Sequence, residues 1–216
     1  MIKNSCEMND DAEKIDKLSE TLAAKDADLN QAIGLAMLLK DGEERDLYLL
    51  HVTRALLERG DGRKAHGVTE LMGETYESVE AIIDVAEYLG SIDQVERSLI
   101  VFADAEAVLA STELMEWQHA ELLNKLANLL FRINAKDRSD EVRQRAIDIA
   151  REGQSSIDPQ DAGDADKVLA EIVVDIAKEQ RINDALRVAE SISNEYRRER
   201  VLSEIGSISS RIKEVP

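Results

Sequence analysis

Glu116-Trp117-Gln118-His119 has the Glu-x-x-His spacing that sets two metal ligands on one helix face. A di-metal carboxylate site needs a second such pair and two more Glu from other helices, but Tyr48 and Arg63 stand three residues before His51 and His66. The expectation is a structural His119 and no metal. The Asp-rich run from Asp158 to Asp166 fails the ligand register of a calcium loop whether counted from Asp158 or from Asp161, and Glu171 does not supply the closing ligand. It reads as a loop over 153–161 whose carboxylates complement the start of the next helix. Tyr196-Arg197-Arg198-Glu199-Arg200 is the tight basic cluster. It can grip an acidic tail or a phosphate, or form ordinary pairs with Glu195 and Glu199 on a solvated face. Asn124 and Asn128, one helical turn apart with Lys125 beside them, carry amides that donate and accept at once, which suits a peptide backbone or a carboxylate. There is no phosphate loop, nucleophile elbow or zinc spacing, and three His and one Cys leave little beyond carboxylates for catalysis. The sequence therefore predicts no catalytic residue and no cofactor. Its weak partner-binding candidates are Asn124, Lys125, Asn128, Arg197, Arg198 and Arg200.

The elements that must position these residues are helices. Apolar residues recur every three or four positions along nearly the whole chain, with no sustained alternation. The pattern predicts eleven helices, over 10–24, 29–40, 43–59, 63–73, 77–89, 93–110, 113–133, 140–152, 164–179, 183–192 and 195–212. Asp28 with Gln31 and Asp93 with Glu96 have capping-box spacing, Ser139 is the expected cap of the helix over 140–152, and Gly60-Asp61-Gly62 marks a break.

The helices repeat. Ala32, Ala36, Leu39, Asp41, Arg45, Leu49 and Val52 match Ala185, Ala189, Ile192, Asn194, Arg198, Leu202 and Ile205 without a gap. Further copies start at Ala65, Ala105 and Ala146, steps within the range of two-helix repeats. The predicted unit is a short helix, a polar turn and a longer helix. Small Ala side chains let two helix axes approach closely, and stacking successive pairs buries the apolar stripe that one pair leaves open.

The unit from Ala185 to Asn194, followed by Arg198, Leu202 and Ile205, resembles the tetratricopeptide-like helical-repeat superfamily. The resemblance covers about residues 29–212. It lacks the family's Trp, Leu-Gly and Tyr set in the first helix and its repeat-ending Pro. What it implies is an all-α, right-handed stack of antiparallel helix pairs (an α-solenoid) whose concave face binds peptides or proteins. It transfers no binding residue.

Composition agrees with a helical chain and narrows the partners. The 216 residues are 44% hydrophobic and 33% charged with two Pro, so they can form a core and are neither collagen-like nor disulfide-built. With 45 acidic and 27 basic side chains the net charge is −18, which disfavours nucleic-acid phosphates and anionic membranes and points to a basic or neutral protein or peptide partner. Cys6 is the single cysteine, and the start carries no apolar run of a signal peptide, so cytoplasmic residence is expected. The expected organisation is a flexible tail over 1–9 and one repeat domain over 10–212, with Ile208, Ile212 and Val215 forming an apolar edge on the last helix. The leading expectation is a non-catalytic scaffold or adaptor. Two alternatives are a helical enzyme or small-ligand carrier using carboxylates in a closed interior cavity, with polar residues such as Glu121, Asn124 or Asp175 pointing into it, and an acidic nucleic-acid mimic that sequesters a basic protein.

Overall fold

The computed structural model describes residues 17–18, 28–40 and 42–214. The helix predicted over 10–24, the tail over 1–9, Cys6, Asp41 and Val215 thus lie outside the described residues, apart from Lys17 and Leu18. The described elements are all helical: α1 Leu29–Ala36, α2 Glu43–Glu58, α3 Gly62–Thr69, α4 Tyr76–Ser91, α5 Val95–Ser111, α6 Glu116–Arg132, α7 Lys136–Gly153, α8 Pro159–Lys178, α9 Ile182–Ala189 and α10 Glu195–Glu214. This is an all-α helical-repeat fold.

One junction recurs along the chain. Helices α2, α4, α6 and α8 are each followed by a residue with positive φ: Gly60 at +81°, Asp93 at +59°, Asn134 at +65° and Gln180 at +67°. The next amide then donates to the carbonyl five residues back, Asp61 to Leu56, Gln94 to Leu89, Ala135 to Leu130 and Arg181 to Ile176, at 2.8–3.2 Å. This six-to-one bond satisfies a carbonyl the helix end would otherwise strand, and it turns the chain straight into the next helix. Asp93 is therefore the left-handed residue of such a junction rather than a cap, and Gln94 takes the N-cap position. Likewise α7 starts at Lys136 after Asn134, so Ser139 lies inside it, and its hydroxyl donates to the Ala127 carbonyl at 2.8 Å.

Between these junctions fall five helix pairs in chain order, each with a short turn inside it. The bounds of α1 and α2 recur 33 residues on in α3 and α4 at all four ends. Burial repeats with them: Leu49, Leu50, Val52, Thr53 and Leu56 are buried, and so are Ile82, Ile83, Val85, Ala86 and Leu89. The repeat alanines Ala32, Ala65, Ala105, Ala146 and Ala185 are all fully buried. Two corrections follow. The first helices of the third and fourth pairs are long, 17 and 18 residues, so short-then-long describes only the other three. The match between the first and last pairs also slips by one residue in the second helix. Leu202 is 39% exposed while Val201 and Ile205 are buried, because the turn over 190–194 is one residue shorter than the turn over 37–42.

The chain divides into two compact units, Met1–Glu113 and Leu114–Pro216. In the first, α2 packs on α1, α3 and α4, and α4 on α3 and α5. Two ties set α2 and α4 side by side in the same direction. At one end the Asp46 carboxylate accepts from the Gly73 amide at 2.8 Å and the Thr75 hydroxyl at 3.0 Å. At the other, the Tyr88 hydroxyl donates to the Gly60 carbonyl at 2.9 Å. The Tyr88 ring lies so close to the start of α3 that a Cβ on Gly62 would sit 2.5 Å from Cε1 and 2.8 Å from Cδ1. Gly62→Ala is expected to cost about 1–3 kcal/mol by overpacking, read as a lower urea midpoint at unchanged slope. Most of that loss should vanish in a Tyr88→Leu background, where the two changes are coupled.

In the second unit α6, α7 and α8 pack mutually, and α8 and α9 both pack on α10. Helix α8 starts at Pro159, capped by Asp158, whose Oδ1 accepts from the Gln160 amide at 2.8 Å. The predicted loop over 153–161 thus ends earlier and the helix begins five residues before Asp164. Proline at the first helical position is favourable, since its missing N–H has no partner there in any case. Ile208 and Ile212 are half-buried on α10.

Candidate functional site

A groove of about 570 Å³ runs along α6, α8 and α10 of the second unit. Each helix gives it one face at three and four residue spacing: Glu121, Asn124, Lys125 and Asn128 from α6, Lys167, Glu171, Val174, Asp175 and Lys178 from α8, and Arg197, Arg200, Val201 and Glu204 from α10. Five of the six residues singled out in the sequence are brought together here. Arg198 is the exception. It does not line the groove, and its Nη1 donates to the Ile192 carbonyl at 2.9 Å, tying down the turn before α10.

The floor is a polar chain. Asn124 and Asn128 donate their side-chain N–H groups to Asp175 Oδ2 at 3.0 and 2.7 Å. Asn128 Oδ1 accepts from Arg143 Nη2 at 2.7 Å, and Arg143 Nη1 pairs with Glu179 at 2.6 Å. Each amide therefore commits one N–H to positioning Asp175. Asn124 Oδ1 is buried with no hydrogen-bond partner among the described residues. Along the walls each lysine has a carboxylate about one turn away on its own helix: Lys125 and Glu121 at 3.1 Å, Lys178 and Asp175 at 3.3 Å, Lys167 and Glu171 at 3.9 Å. Partial burial pushes the Glu171 carboxyl above its ordinary 4.5, with Lys167 opposing and Glu121 and Asp175 adding to the shift.

Lys167, Glu171, Lys178 and Glu204 were missed from sequence. The signal available was the run 167, 171, 175, 178, which lies on one side of α8 while Val168, Leu169, Ile172, Val173 and Ile176 are buried. Glu116 and His119 stand in the first turn of α6, and burial lowers the His119 pKa, with Arg145 adding to the effect. Among the described residues no group of three His, Cys, Asp or Glu is placed to hold a metal. None of their helices is long and apolar enough to cross a membrane.

The first unit carries a different face. Arg54 holds Asp84 at 2.7 Å and Glu80 at 3.3 Å, and Glu77 Oε2 is buried without a hydrogen-bond partner among the described residues. Burial raises the Glu77 pKa above 4.5; a bond to its own amide opposes this, and Glu43, Asp46 and Glu80 reinforce it. A carboxyl raised on folding costs stability above its folded pKa, and that cost disappears as pH falls below the unfolded value. Glu77→Gln should thus raise the melting temperature at pH 7, with the gain shrinking as pH falls and vanishing below 4.5.

No family model matches this chain, and no curated protein matches its sequence. Among solved structures it is similar to a de novo designed helical repeat protein, DHR64, at 20% identity over 94% of this chain and 98% of that one, with a TM-score of 0.28. A second similar structure, the DHF58 filament, is 21% identical over 97% of both chains, with a TM-score of 0.22.

Proposed function

We propose that the chain is a non-catalytic helical-repeat protein of tetratricopeptide-like type, a scaffold or adaptor that docks a peptide segment of a protein partner in the groove along α6, α8 and α10. The observation that carries this reading is the groove itself: three long helices of one unit present polar faces to a shared volume within the range of ligand sites. The 33-residue step between the first two helix pairs supports a two-helix repeat, one residue short of the tetratricopeptide period. The acidic surface fits a protein partner and cytoplasmic residence better than nucleic acid or a membrane surface. Panning a random twelve-residue peptide library on the full chain tests it. Ala170 of α8 also lines the groove, and enriched peptides should lose about tenfold or more in affinity when Ala170→Trp fills it, as expected when a bulky side chain occupies a ligand's place. No enrichment, or binding indifferent to that change, overturns the reading.

One observation favours a second reading. Glu121, Asn124 and Asp175 all line the groove, as a helical enzyme or carrier of a small polar ligand requires. Thermal shifts with metabolites and metal salts, abolished by Asp175→Asn, would support it over peptide docking.

A further inference from the structure

Resting on the peptide-groove reading, we propose that the segment this groove takes is acidic, with carboxylates at alternate positions that pair with Arg197 and Arg200. The whole-chain charge of −18 argues for a basic or neutral partner, but that charge is unevenly spread. Residues 1–113 carry 25 Asp or Glu against 11 Lys or Arg, whereas residues 114–216 carry 20 against 16. Within the groove the balance reverses, with five cations facing four carboxylates.

The pairing pattern says which cations a ligand meets. Lys125, Lys167 and Lys178 each have a carboxylate neighbour on their own helix. Arg197 and Arg200 do not. The Arg197 amide is held by Asn194 at 2.9 Å, but neither guanidinium has a hydrogen-bond or ion-pair partner among the described residues, although Arg197 is half-buried. In a chain with 45 carboxylates, two adjacent arginines left without one on a groove wall mark where an external anion sits. A guanidinium fork binds a carboxylate through two parallel hydrogen bonds. Residues three apart on a helix have Cβ atoms about 5–6 Å from each other, and same-side residues of an extended peptide lie about 6.8 Å apart. Carboxylates two residues apart therefore reach both arginines, while the residues between them face away. The interleaving also suits Glu171 and Glu204, which would repel a continuous phosphate backbone but tolerate the neutral positions of such a peptide.

The same panning experiment tests this separately from the docking reading. Wild-type chain should enrich sequences with Asp or Glu at alternate positions. Fluorescence anisotropy of one such labelled peptide should show about a 30-fold or greater loss with Arg197→Glu/Arg200→Glu, and a marked weakening with added salt. Arg197→Lys/Arg200→Lys keeps the charge but loses the fork and should fall between wild type and the charge reversal, and both variants should keep the wild-type circular dichroism. Enrichment of basic or uncharged peptides overturns the acidic assignment while leaving peptide docking standing; no enrichment removes both. Binding unchanged by charge reversal removes the two arginines. A twelve-nucleotide single-stranded DNA that binds the groove more tightly than the selected peptide would also overturn the proposal.

Discussion

Asp166→Ala should lower the free energy of unfolding by about 3–4 kcal/mol, among the largest single effects expected in this chain. Asp166 sits early in α8, 4% exposed, yet its bonds reach forward to the next helix pair. Its carboxylate accepts from the backbone amides of Ser193 at 2.9 Å and Asn194 at 2.7 Å, and from Gln154 Nε2 at 2.6 Å. Alanine would free two amides at the start of α10 and an amide side chain beside them. Ser193 and Asn194 are exposed and Gln154 half-buried, so water partly compensates the freed donors. The loss is that of bonds to a charged acceptor, about 1.5–3 kcal/mol each before that compensation. Asp46 does the same work in the first unit, 120 residues earlier, bonding Gly73 and Thr75 where Asp166 bonds Ser193 and Asn194. Asp46→Ala should therefore cost a similar amount. Urea unfolding gives both values, and hydrogen exchange should show the Ser193 and Asn194 amides losing protection in the Asp166 variant. A loss below about 1 kcal/mol in both would mean these carboxylates do not fasten one helix pair to the next.

These two aspartates show where sequence reading reaches and where it stops. The period-3.6 pattern marked out each described helix, because burial of an apolar stripe dominates where a helix forms. The repeat alanines were visible for the same reason, since close approach leaves space for nothing larger than a methyl group. Helix ends were harder. At Asp93 a short polar residue adopts the left-handed conformation after α4, and the same residue type in the same place would serve equally well as an N-cap. At Pro159 the local signal for a break was real, but a proline costs a helix nothing in its first turn. Asp166 was lost among the Asp residues around it, because its burial depends on the turn over 190–194 folding back against it. In the groove, Asn124, Lys125, Asn128, Arg197 and Arg200 were legible as polar residues at helical spacing. Their shared neighbour Asp175 stood in the sequence only as an interior candidate, and its bonds to both asparagines depend on how α6 packs on α8.

Arg143→Met should cost about 3–5 kcal/mol, the range for removing one partner of a buried ion pair. The Arg143 side chain is 2% exposed and that of Glu179 7%, with 2.6 Å between Nη1 and Oε2, so the variant leaves an enclosed carboxylate whose remaining cation among the described residues is Arg181 at 3.8 Å. The penalty belongs to the stranded charge rather than to the worth of the pair, and the double variant separates the two. In Arg143→Met/Glu179→Met both charges are gone, a similar volume stays filled, and most of the lost stability should return. Arg181 keeps Asp140 and Asp184 in that variant. The groove should not recover in parallel. Arg143 Nη2 is the donor that fixes Asn128 Oδ1, and Asn128 with Asn124 fixes Asp175. The double variant should thus be near wild type in urea midpoint and still weaker for the selected peptide. Equal recovery of stability and binding would show that Asp175 holds its place without the polar chain beneath it, and that Arg143 serves folding alone.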